Sequence, residues 1–148
     1  MSSQTIFFYG LFMDPEILQA QGALPSQPTV TKLENYKLYL GKRATLIPSD
    51  GDHVFGTVMR LTQPEVDTLY STASVREYQA VQVTCQFAED DYIEAITYIL
   101  PEGSPLTPPL NADYAHQLQE VCQKMKLPSH YQKKIAEFIL KIETAENN

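Results

Sequence analysis

Positive charge is scarce in this chain: Lys and Arg number 11 against 18 Asp and Glu, a formal net charge of -7. A nucleic-acid partner needs a basic face that displaces counterions from phosphates, so none is expected. An anionic membrane surface is disfavoured for the same reason. Long apolar runs are missing as well, since no stretch approaches the ~18 residues of a membrane span. The first four residues, Met-Ser-Ser-Gln, carry no positive charge ahead of the short apolar stretch that follows. They do not read as a secretory signal, and the expected compartment is cytoplasmic. The only cysteines, Cys85 and Cys122, stand far apart with no CxxC spacing, each on a predicted apolar face. There a free thiol behaves as a small hydrophobe. His53, His116 and His130 are scattered, with no i,i+4 ligand pair, so neither a metal nor another cofactor is expected. Ser71, Thr72 and Ser74 sit in no G-x-S-x-G elbow and beside no histidine, which removes the hydrolase triad.

What remains suits one soluble domain spanning residues 1–148, with 43% hydrophobic and 20% charged residues. Residues 5–9 read as a buried strand that runs into Gly10. A glycine there lets backbone N–H groups converge on a ligand and tolerates the angles such a turn needs. Asp14-Pro15 reads as an N-cap and first helical position, starting a short helix to about residue 21. Residues 30–40 alternate Tyr36, Leu38 and Leu40 as a strand, and Pro48-Ser49-Asp50-Gly51-Asp52 is a turn signal before a strand over 54–61. Gly56 within that strand marks a bulge or a close backbone approach. Thr62-Gln63-Pro64-Glu65 is a capping box opening a helix to about Tyr70. Strands over 78–87 and 92–100 flank a hairpin link at 88–91. Tyr114, Leu118, Val121, Cys122 and Met125 form one helical face; Tyr131, Ile135, Phe138, Ile139 and Ile142 form another, capped by Ser129 with Gln132. Early strands with inserted and appended helices imply an α+β fold on a curled, barrel-like sheet.

Three blocks carry a family resemblance. The first is Phe7-Phe8-Tyr9-Gly10-Leu11-Phe12-Met13. The second is Phe55-Gly56-Thr57-Val58-Met59, then Val66 to Leu69, then Tyr78 with Val81 and Val83. The third is Pro108-Pro109-Leu110-Asn111-Ala112-Asp113-Tyr114 followed by Lys126-Leu127-Pro128-Ser129-His130-Tyr131. In this order they resemble the γ-glutamylcyclotransferase-like family (the γ-glutamylamine cyclotransferase superfamily). The resemblance implies a small curled mixed β-barrel with flanking helices and one pocket. It also implies a small-molecule carboxylate or γ-glutamyl ligand, bound by Tyr9, Gly10, Leu11, Phe12, Tyr78 and Tyr114. In the family the Tyr-Gly loop offers N–H groups to a substrate carboxylate. A glutamate across the pocket moves protons while the substrate's α-amine attacks its own γ-carbonyl, giving 5-oxoproline and a free amine.

The match departs from the family where that glutamate belongs. The stretch Leu-Asp-x-x-Glu-Gly corresponds to Leu69-Tyr70-Ser71-Thr72-Ala73-Ser74, and alanine cannot move a proton. Sliding the alignment by one residue would put Ser74 there instead. Glu77, beside Tyr78, is the nearby carboxylate that could serve as base; the alternative is an ordinary exposed charge at a strand end. Arg76 could pair with a substrate carboxylate or stand solvated. Leu11 replaces a small hydroxyl residue and leaves backbone donors only. Two functions stay open: a cyclotransferase acting on γ-glutamyl amines or peptides, and a non-catalytic binding or interaction module that keeps the barrel.

Overall fold

The computed structural model describes residues 3–40, 44–71, 77–101 and 112–146. Its elements run β1 (Ser3–Phe8), a 3-10 turn (Leu11–Met13), α1 (Pro15–Ala20), β2 (Thr29–Leu40), β3 (Ala44–Thr62), α2 (Gln63–Leu69), β4 (Gln79–Ala88), β5 (Asp91–Ile99), α3 (Ala112–Lys124) and α4 (Ser129–Glu146). The strands close into a barrel in the order β1-β3-β2-β4-β5. All neighbours are antiparallel except β1 and β5. This is the α+β architecture expected from the order of the elements. No helix among the described residues is long and apolar enough to cross a membrane.

β1 lies at the centre of the packing because Ile6, Phe7 and Phe8 are buried on both faces. From them one contiguous core extends through β3 to Leu118 and Cys122 of α3 and Ile135, Ile139 and Ile142 of α4. Both helical faces read from the sequence therefore point inward. Cys85 and Cys122 are free and buried within that core, where burial pushes their thiols up to about 11 and about 12. Gly56 is a close approach rather than a bulge: a Cβ there would lie 2.1 Å from the Phe8 carbonyl oxygen.

Helix starts follow the caps in two cases and depart in a third. Asp14 accepts the Glu16 N–H at 2.9 Å and opens α1. Thr62 and Glu65 form the reciprocal capping box of α2. At α4, however, Ser129 is already helical, and the Pro128 carbonyl accepts from Tyr131 and Gln132. Gln132 instead donates its side-chain amide to the Leu127 carbonyl at 2.8 Å. The expected Ser129 cap is thus corrected.

A second correction concerns residues 48–52. They do not break the chain into two strands but lie inside the 19-residue β3. The pairing jumps from Glu34↔His53 to Tyr36↔Pro48, so this segment bulges opposite Asn35. Asn35 takes a left-handed φ of 68°, Gly51 one of 86°, and the Gly51 N–H donates to Asn35 Oδ1 at 3.3 Å. Pro48 is the last residue paired before the bulge, at the margin of the ladder, where a missing donor is tolerated.

Candidate functional site

The end of β1, the 3-10 turn, the end of α2, the start of β4, the end of β5 and the first turn of α3 converge on Tyr9 and Gly10. Gly10 has φ -113°, outside the left-handed region, so glycine's use here is not a positive φ. It is space: a Cβ at Gly10 would lie 2.5 Å from the Tyr114 hydroxyl oxygen. The Leu11 backbone also hydrogen-bonds that hydroxyl. The first N–H groups of a helical turn have no acceptor inside the turn, and the phenol supplies one. Asp14 fixes the turn to α3 from below, accepting from Lys124 Nζ at 2.8 Å. The Thr57 hydroxyl, on β3, donates to the Met13 carbonyl at 3.0 Å.

Five tyrosines gather around this point. Tyr9 is buried and donates its hydroxyl to the Tyr98 carbonyl at 2.6 Å. Tyr78 donates to the Ala44 carbonyl. Tyr70, the residue that ends α2, stacks on Tyr98 with ring centroids 4.0 Å apart and planes 18° apart. Phe12 meets Tyr70 edge to face at 6.4 Å and Phe8 likewise at 6.1 Å. Burial first, then the neighbouring phenols, hold Tyr9, Tyr70 and Tyr114 well above the ordinary phenol range. Hence these phenols are neutral at physiological pH; they donate and accept hydrogen bonds but take no proton from an ammonium. Tyr98 is raised as well, by burial first and then by the Asp67 carboxylate.

Tyr9, Gly10, Leu11, Phe12, Tyr78 and Tyr114, named from the sequence, are therefore brought into one neighbourhood. Glu77 is exposed and immediately precedes Tyr78 at the entry to β4. Ala73, Ser74, Thr72 and Arg76 lie outside the described residues. Ser71 is exposed and donates to the Thr68 carbonyl at 2.8 Å. Sequence reasoning missed Tyr70 and Tyr98 as site residues. Their signal was position alone, an aromatic at the end of α2 and another near the end of β5. Among the described residues no cluster of His, Cys, Asp and Glu could hold a metal ion.

Comparison with known proteins bears on the family and the fold. The family model described as "Gamma-glutamyl cyclotransferase, AIG2-like" matches residues 6–118. No curated protein matches the chain by sequence. Among solved structures, one titled "Gamma-glutamyl cyclotransferase" superposes with a TM-score of 0.76 at 23% identity, covering 91% of this chain and 87% of its own. An uncharacterized protein from Homo sapiens gives a TM-score of 0.76 at 22% identity, covering 92% and 88%. YkqA from Bacillus subtilis gives 0.74 at 18% identity, covering 94% of this chain and 55% of that one. At such identities these likenesses show a shared fold.

Proposed function

The chain belongs to the gamma-glutamyl cyclotransferase, AIG2-like family, and from that premise we propose that it binds γ-glutamyl amines or peptides at the Tyr9-Gly10 turn. The observation that carries this reading is the Tyr114 hydroxyl packed onto the bare backbone of Gly10, 2.5 Å from where a Cβ would stand. A substrate carboxylate oxygen entering there takes the Leu11 N–H over from the phenol and accepts the phenol's own proton. Phe12 and Tyr78 flank the bound molecule.

Turnover would be an intramolecular cyclisation. The α-amine nitrogen bonds to the γ-carbonyl carbon, the γ-amide C–N bond breaks, and one proton passes from the attacking to the leaving nitrogen. The five-membered ring supplies proximity; the protein must supply a base. Ala73 stands at the family's glutamate position in this reading, so Glu77 is the base we assign. A second reading, a binding module without chemistry, is favoured by one observation: the sequence has Ala73 where the family's glutamate is expected, and the carboxylate assigned in its stead, Glu77, is exposed. Both readings place a small molecule at the site, use no cofactor and suit a cytoplasmic protein.

The test combines calorimetric binding of γ-glutamyl amines and peptides with assay of 5-oxoproline release, for the wild type, Glu77→Gln and Tyr114→Phe. Binding is expected, weakened about three- to tenfold in Tyr114→Phe by loss of a hydrogen bond. Release that falls ~10²–10⁴-fold in Glu77→Gln makes the protein a cyclotransferase with a relocated base. Release unchanged in that variant removes Glu77 from the role. Binding without release leaves the non-catalytic module, and absence of binding by every γ-glutamyl ligand overturns both readings.

A further inference from the structure

A cleft of about 220 Å³ lies between β2, β3 and α4 and shares no residue with the Tyr9-Gly10 site. Leu38, Val54, Ile135 and Phe138 supply its apolar lining, and Lys37, Lys134 and Lys141 bring three ammonium groups to it. Asp52 and Glu137 also line it, so three cations face two carboxylates in a protein whose net charge is -7. Asp52 already accepts from the Ser49 hydroxyl. Among the described residues, none of the three lysines forms an ion pair. His53 stands at the cleft with its ring against Phe55 and His130, at 5.4 and 5.8 Å. Burial first, then Lys134, Lys32 and His130, push its imidazole below the ordinary range, against the opposing pull of Glu34.

We propose that this cleft is a second small-molecule site, for a compact organic carboxylate with an apolar body. The apolar lining removes the body from water, and the lysines and His53 meet the carboxylate. A bare inorganic anion would leave the apolar lining uncovered. A neutral molecule of the same shape would leave the ammonium groups without a partner. The volume is small beside drug-sized pockets, which matches a ligand of one ring or a short branched chain. The two histidines, remote in sequence, meet here because β3 and the start of α4 pack together, with Phe55 and Tyr131 at 5.5 Å between their rings.

The experiment is an NMR titration of the full chain with benzoate, benzyl alcohol and inorganic phosphate, read at the imidazole protons. His53 should shift saturably with benzoate and titrate at higher pH when it is bound, because an anion stabilises the imidazolium. His116, which pairs with Glu143 on the surface at 2.9 Å, should not follow. Benzyl alcohol and phosphate should each bind roughly tenfold more weakly. Lys134 and Lys141 are both exposed, so Lys134→Ala with Lys141→Ala should keep the fold and lose roughly tenfold in benzoate affinity. A response to benzyl alcohol or phosphate equal to that of benzoate overturns the proposal. So does a parallel shift of His116, affinity unchanged in the double variant, or no saturable shift at all.

Discussion

At Gly10 the backbone runs at φ -113°, a value open to any residue, while the space above it is filled by the Tyr114 hydroxyl. That separates two reasons for glycine which a sequence cannot distinguish, backbone angle and room. It also makes a prediction that angle strain does not. Gly10→Ala must displace the Tyr114 hydroxyl and break its bond with Leu11, and such overpacking costs about 1–3 kcal/mol. Tyr114→Phe removes the clashing oxygen, so adding Gly10→Ala to that variant should cost much less, roughly 0.5 kcal/mol or below. A double-mutant cycle in urea checks this. Equal costs in both backgrounds would mean that the angle, not the hydroxyl, dictates the residue. The neighbouring tyrosines show a related limit of sequence reading. Tyr9 was legible as part of the turn from its place before Gly10. Tyr70 and Tyr98 meet only because α2 and β5 end on the same side of the barrel, which no local pattern records.

The elements divide into those governed by neighbours in sequence and those governed by distant ones. α3 ends in a motif where the Leu127 N–H donates to the Cys122 carbonyl at 3.0 Å and the Lys126 N–H to Gln123 at 3.1 Å. Such an ending places its hinge residue in the left-handed region, and Lys126 occupies it with φ 59°. A side chain there costs ~1–2 kcal/mol, partly offset by the extra freedom that glycine would give the unfolded chain. Lys126→Gly should therefore stabilise the protein by about 0.5–1 kcal/mol, seen as a higher urea midpoint at unchanged slope. A lower midpoint would show that the Lys126 side chain contributes more than its strained backbone costs. The caps at Asp14 and Thr62 were legible because each is closed by a residue two or three positions on. The bulge over residues 48–52 was not, since proline, glycine and aspartates look the same in a turn as in a bulge. What decides between them is Asn35, on the strand opposite.

For the whole molecule the weak places are the seams. β1, β3 and β2 pair over long registers, and so do β4 and β5. The two groups join over shorter stretches, around Ile6↔Ile96 and Lys32↔Gln86. The strands themselves can be read from alternating residues; which of them join, and over how short a stretch, cannot, because each join rests on contacts between segments remote in sequence. Side chains reinforce one seam: the Thr97 hydroxyl donates to the Phe7 carbonyl at 3.0 Å, and the Leu100 N–H donates to the Thr45 hydroxyl at 2.9 Å. Thr97 is fully buried, so Thr97→Val keeps the shape and strands a carbonyl in the core, at a cost of about 1–3 kcal/mol. If the barrel is two sheets clasped at narrow seams, that loss should appear locally. Amide exchange in β4 and β5 should accelerate before that of β3, and Thr97→Ser should restore much of the protection. Equal acceleration in every strand would mean that the barrel opens as one unit. The Tyr9–Tyr98 bond crosses the same seam beside Gly10, so loosening it should weaken ligand binding at the turn in parallel with exchange, with no residue of the site replaced.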